Sequence, residues 1–140
     1  MDLLKTLDIA GSGLSAQRVR MQTVATNMAN ARTTQTAEGG PYRRRAPVFE
    51  ARAVDPFGSE LDQAMASVDV VEVWQSESEG VRVHQPDHPD ADENGDVMMP
   101  DVNILHEMVD LMTTGRSYEA NASVVEATRD MAMQALNIGR

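Results

Sequence analysis

The sequence predicts an α+β fold in which two long terminal α-helices form a coiled-coil-like pair around a small β-rich middle insert. Three observations predict it. Leu7, Leu14, Met21 and Met28 recur every seven residues near the start, and Ile104, Leu111, Tyr118, Val125 and Ala132 do the same near the end. Between them the pattern changes to short Val-containing runs broken by Gly and Pro. A seven-residue apolar repeat is the signature of helices that pack side by side, and short β-branched runs bounded by turn residues read as strands. The expected division is 1–33 for the N-terminal helix of a helical core, 34–100 for the insert and 101–140 for the C-terminal helix.

The first helix is expected from about 2 to 31. Leu3, Leu4, Ala10, Val24 and Ala31 fall beside the seven-residue stripe. Gly11 and Gly13 weaken helix propensity in the first turns, so Ser12 or Ser15 is expected to cap the more regular part. In the insert, Gly39-Gly40-Pro41 marks a turn. Residues 42–54 read as an extended segment, with Arg43 and Arg45 on one face and Tyr42 and Val48 on the other; Pro47 confines it to a sheet edge. Asp55-Pro56-Phe57-Gly58 is a second turn. Residues 67–75 are Val-rich and read as a strand, and Glu77-Ser78-Glu79-Gly80 is expected to close a hairpin back through Val81 and Val83. The acidic stretch 86–94 reads as a loop.

The second helix is expected from about 101 to 137, with Asp101 or Asn103 as its cap after Pro100. Met108, Ala122 and Leu136 widen its stripe, and Arg129 interrupts it. Gly115 predicts a break or a close helix contact, and Gly139 ends the helix. Ala16, Val19, Ala25, Ala29 and Val124 leave the helices small or apolar on further sides, and a helix apolar on several faces expects several neighbours.

Composition narrows the function. Aromatic residues make up only 4% of the 140, so the large side chains that anchor a globular core are scarce. Such a chain is expected to gain stability on assembly. The net charge of -10 disfavours nucleic acid, whose phosphates require Lys and Arg. There is no cysteine, hence no disulfide, thiolate metal site or Cys nucleophile. No apolar run is long enough for direct membrane insertion, and no basic segment followed by an unbroken apolar stretch opens the sequence. Glycine-rich phosphate loops and an arranged Ser-His-Asp set are missing, so neither an enzyme nor a cofactor is expected.

Two patterns point elsewhere. Asp90, Asp92, Asn94, Gly95, Asp96 and Asp101 follow the spacing of a calcium-binding loop, and a small acidic calcium-responsive regulatory module is the alternative reading. Pro86 and Pro89 remove the entering helix, and Asp101 is a poorer bidentate ligand than the usual Glu. His84, His88 and His106 read as scattered surface residues, since zinc requires three or four convergent ligands. Arg43-Arg44-Arg45 fits either a solvated strand face or an ion-pair site for a second copy.

Ser12-Gly13-Leu14-Ser15-Ala16-Gln17, followed by Asn27-Met28-Ala29-Asn30 and Thr33-Thr34, resembles the signature of flagellar rod and hook proteins. Pro41-Tyr42-Arg43-Arg44-Arg45, Val48-Phe49-Glu50, His88-Pro89-Asp90, Arg116-Ser117-Tyr118-Glu119-Ala120-Asn121 and Ala135-Leu136-Asn137-Ile138 are similar to its short proximal-rod members. Asp96 and Asp101 depart from the Tyr and Asn usual in those members. The resemblance implies a self-assembling structural subunit of the flagellar basal body. Its terminal helices would join an axial tube that transmits torque. It would leave the cell through the flagellar type III export apparatus without a cleaved signal and assemble in the periplasm with other rod proteins and copies of itself. The assembly interface expected on this basis comprises Leu7, Leu14, Met21, Asn27, Met28 and Asn30 of the first helix and Leu111, Tyr118, Asn121, Val125, Ala132 and Leu136 of the second. Asn27 and Asn30 are expected to bond to the backbone of adjacent subunits.

Overall fold

The computed structural model describes residues 3–54 and 65–138. Helix α1 (Leu3–Ala29) and helix α2 (Ile104–Ile138) pack against each other along their lengths. They run antiparallel: Asn27 bonds to Glu107 at one end of the contact, Arg20 to Asp110 further along, and Gly13 lies against Asn121. The α+β class and the two terminal helices are as expected. No helix is long and apolar enough to cross a membrane among the described residues.

Helix α1 passes through Gly11 and Gly13 without interruption, so neither Ser12 nor Ser15 caps it. Ser12 instead donates to the carbonyl of Ile9 at 2.8 Å, as a mid-helix serine commonly does. Helix α2 is capped by Asn103, whose Oδ1 accepts from the amides of Leu105 at 3.0 Å and His106 at 3.2 Å. Gly115 marks neither a break nor a close contact: a Cβ there would have open space. The close approach falls at Gly13, where a Cβ would sit 2.8 Å from Asn121 Nδ2. A residue without a side chain lets the two helices meet there.

The seam between the helices differs from the predicted stripe. On α2, Leu111, Tyr118, Val125 and Ala132 are half-buried, and the buried line lies three residues after each apolar repeat, at Glu107, Thr114 and Thr128, with Asn121 half-buried between them. Met108 and Leu136, expected to widen the inner face, are exposed. Two of the polar seam residues cost little to bury. Thr114 donates to the carbonyl of Asp110 at 2.6 Å and Thr128 to that of Val124 at 2.8 Å, so both hydroxyls are satisfied within α2. On α1 the buried residues are Ala10, Ala16, Val24 and Asn27, while Leu7, Leu14, Met21 and Met28 flank them half-buried.

The insert contributes strands β1 (Arg45–Ala53) and β2 (Ala66–Gln75), paired antiparallel with an irregularity between Val48 and Phe49, just after Pro47. This ribbon packs on α1, and the amide of Val68 donates to Ser12 Oγ at 3.1 Å. Ala16, one turn beyond Ser12 and so on the same side, is buried rather than outward as expected. The predicted turn at Asp55-Pro56-Phe57-Gly58 lies outside the described residues.

Strand β3 (Val81–His84) does not return along β2. It pairs antiparallel with β4 (Asp96–Met99), a strand the sequence reading missed. Gly80 explains the redirection. Its φ of 102° lies in the left-handed region, and its Cα abuts the Met99 carbonyl so closely that any side chain would collide with it. The acidic stretch is then the loop of the β3–β4 hairpin. Asp92 Oδ1 accepts from the amides of Asn94 at 2.8 Å and Asp96 at 2.9 Å, and Gly95 turns the chain at a φ of 78°. Those two amide bonds hold the Asp92 carboxyl below the usual carboxylate range.

Candidate assembly interface and its buried polar knot

The densest polar arrangement in the chain lies where the end of α1, the start of β1 and the first turn of α2 meet. Asn27 and Glu107 are both fully buried there. A buried amide is tolerated only if its two donors and its acceptor oxygen find partners. Asn27 Nδ2 donates to the carbonyl of Arg45 at 2.8 Å and to Glu107 Oε2 at 3.0 Å. Its Oδ1 accepts from the Tyr42 hydroxyl at 2.9 Å and the Arg45 amide at 3.0 Å. The amide is therefore fully used.

Glu107 is held in turn by Arg44, whose Nε donates to Oε1 at 2.7 Å. Around them Arg20 pairs with Asp110 at 3.1 Å, and Arg44 reaches the same carboxylate at 4.0 Å. Two guanidiniums thus face two carboxylates, which offsets the cost of burying Glu107. The knot ties segments far apart in sequence and fixes the angle at which the insert leaves the helix pair. Of the Arg43-Arg44-Arg45 run, only Arg44 enters it by side chain. Arg45 contributes its backbone and lies 5.9 Å over the Tyr42 ring, and Arg43 is exposed.

Tyr42 titrates in this setting. Burial pushes its phenol above the ordinary value, with Arg45 acting in the opposite sense and Glu107 adding to the rise. The folded state therefore favours the protonated hydroxyl. That contribution to stability is present below the unfolded value of about 10 and is lost as pH rises through the higher folded value. Urea unfolding midpoints are expected to fall above about pH 10. Tyr42→Phe is expected to lose about 1–2 kcal/mol at neutral pH and to fall less steeply in alkali, because it leaves Asn27 Oδ1 with one donor.

The predicted interface residues sort into three groups. Leu7, Leu14, Met21, Met28, Leu111, Tyr118, Asn121, Val125 and Ala132 lie half-buried in or beside the seam, with surface left over. Leu136 points to solvent. Asn27 offers nothing to a neighbouring subunit, because its bonds are all made within the chain. Asn30 is also turned inward on its own segment: its Nδ2 donates to the carbonyl of Thr26 at 2.9 Å and its Oδ1 accepts from Thr33 at 3.1 Å.

Sequence reasoning missed Tyr42, Arg44 and Glu107 as partners of Asn27. One signal was available. Glu107 sits three residues after Ile104, on the inner side of a seven-residue repeat, where a carboxylate requires a partner. Leu4, Leu105, Val109, Met112, Val124, Met131, Met133 and Ile138 join Leu136 as exposed apolar residues on the two helices.

The acidic loop does not assemble a cation site. Asp92 serves its own turn, Asp90 Oδ2 accepts from Thr34 at 2.6 Å, and Asp96 faces His84 at 2.9 Å. No group of three or more His, Asp or Glu side chains that could hold a metal occurs among the described residues.

The comparisons with known proteins agree with this geometry. Residues 7–34 match the family described as Flagella basal body rod protein, and residues 94–138 match Flagellar basal body rod FlgEFG protein C-terminal. The chain is 39% identical to the flagellar basal-body rod protein FlgC of Salmonella typhimurium over 140 residues, covering all of both chains. It is 38% identical to the FlgC of Bacillus subtilis over 151 residues, again covering both chains fully. With the FlgC of Borreliella burgdorferi it shares 35% identity over 149 residues, covering 99% of this chain and 98% of the relative.

Proposed function

Since the chain belongs to the FlgC family of flagellar basal-body rod proteins, we propose that it builds the proximal part of the rod through a shared helical core made of residues 1–33 and 101–140, with 34–100 facing outward. As a member of that family it is a non-enzymatic structural subunit of the basal body that assembles with other flagellar rod components. The calcium-responsive alternative has no support.

The observation that carries the reading is the outward face of α2. Leu105, Val109, Met112, Val124, Met131, Met133, Leu136 and Ile138 are exposed on one helix of a chain with a net charge of -10. A contiguous apolar surface of that extent marks an interaction site. Neighbouring helices that cover it would bury Leu7, Leu14, Met21, Leu111, Tyr118 and Val125 completely. Ordering each helix residue costs about 1–2 kcal/mol of backbone entropy, and lateral burial on assembly is what offsets it. Torque would pass along the rod through these repeated helix contacts. A chain unfolded for transit fits export through the flagellar type III apparatus without a cleaved signal, followed by assembly in the periplasm.

Leu14→Asp and Tyr118→Asp test the reading. Both place a charge on the half-buried flank of the seam. Each is expected to abolish swimming and to leave the chain absent from isolated basal bodies, whereas Glu93→Lys in the exposed hairpin loop is expected to preserve both. Normal incorporation of the two Asp variants would overturn the helical-core assignment.

A further inference from the structure

The helix pair is uneven. Asn27 meets Glu107 and Gly13 meets Asn121, so the antiparallel register brings Leu3, the first described residue of α1, level with about residue 131 of α2. Helix α2 continues to Ile138. At 1.5 Å per residue its last two turns extend about 10 Å beyond the described part of α1.

These turns, residues 132–138, carry no Asp, Glu, Lys or Arg, in a chain where such residues make up 24%. Leu136 is 71% exposed and Ile138 86%, and Met133 adds a third apolar side chain on another side of the helix. At the other end of α2, Leu105, Val109 and Met112 form a single exposed stripe at the i, i+4, i+7 spacing, 73%, 61% and 64% exposed. Tip and stripe are about 40 Å apart along the same helix.

On the basis of the rod assignment above, we infer that the uncharged tip of α2 docks on the Leu105–Val109–Met112 stripe of a second copy, head to tail. Two features select this occupant. The two surfaces are different patches at opposite ends of one chain, so their contact is heterologous and does not close on itself. That is the contact an open helical polymer such as a rod requires. The contact is also one through which two chains of net charge -10 can approach without setting like charges against each other, because the tip carries none.

Cross-linking tests the inference, and the absence of native cysteine makes it clean. Leu136→Cys and Val109→Cys change exposed side chains, and unchanged far-UV helicity of each variant verifies that folding is preserved. When the two full-length variants are mixed and oxidised, mixed dimers are expected in several-fold excess over the dimers that either variant forms alone. A chain carrying both substitutions is expected to give a ladder of higher oligomers. Excess of like-with-like dimers, or yields equal to those of an Arg43→Cys control, would overturn the contact.

The doubly substituted chain is also produced in cells and recovered in basal bodies under reducing conditions. Recovery there, with cross-links to itself after oxidation, supports the inference. Recovery with cross-links only to a different rod chain, or with none, overturns the inference and leaves the rod assignment standing. Failure of the wild-type chain itself to appear in basal bodies would instead remove the assignment on which the inference rests.

Discussion

Asn27→Leu is expected to destabilise the folded chain by about 3–5 kcal/mol, enough to abolish a cooperative urea transition in a domain of ordinary marginal stability. The reason lies in what the substitution leaves behind. The Tyr42 hydroxyl, both backbone groups of Arg45 and one oxygen of Glu107 all lose their partner in a place water does not reach. Each stranded buried group costs about 1–3 kcal/mol, and leucine's apolar contacts recover part of the total. Swimming is expected to fail with it. Asn30→Ala is the instructive contrast. Asn30 bonds only to its own turn at Thr26 and Thr33, so its loss is expected to cost about 0.5–1 kcal/mol, readable as a small shift of the same urea curve. Equal effects at the two asparagines would refute the knot as the source of the difference.

Gly80→Ala is expected to detach the β3–β4 hairpin, at a cost of about 2–4 kcal/mol. With a φ of 102°, any L side chain is strained before contacts are considered. The added Cβ also collides with the Met99 carbonyl, which is backbone and cannot swing aside. Met99 pairs with Val81, so relief of the clash opens the first rung of the ladder. Hydrogen exchange at the amides of β3 and β4 is expected to accelerate by at least tenfold while α1 and α2 stay protected. Gly95→Ala makes a milder comparison. Its φ of 78° is also in the left-handed region, but it meets the His84 ring at 3.0 Å and Pro86 at 3.1 Å, where the histidine side chain can yield. Full protection of the hairpin in Gly80→Ala would show that this glycine is replaceable.

Those residues also show what could be read from the sequence. Apolar repeats at Leu7 and Ile104 located both helices, because the seven-residue spacing survives whichever neighbouring line is buried. They misplaced the inner face of α2. Periodicity counts apolar residues, whereas Thr114 and Thr128 are buried by returning their hydroxyls to their own helix. The strand from 67 to 75 was legible in its valines. The partner of β3 was not, since pairing is decided by the direction in which Gly80 sends the chain, and a glycine in the sequence does not state the sign of its φ. Asn27 stood out within Asn27-Met28-Ala29-Asn30, but its partners are 15 to 80 positions away. No local pattern encodes such distances, and an inward amide and an outward one look alike in one dimension.

The separation between Asn27 and Glu107 also acts as a timer. A polypeptide that emerges amino end first presents the asparagine early and its last ligand only after three quarters of the length has passed. Until then the latch has a missing tooth, and the half-delivered molecule cannot set into its final shape inside whatever conduit it is traversing. Rigidity arrives only when delivery is nearly complete, at the place where rigidity is wanted.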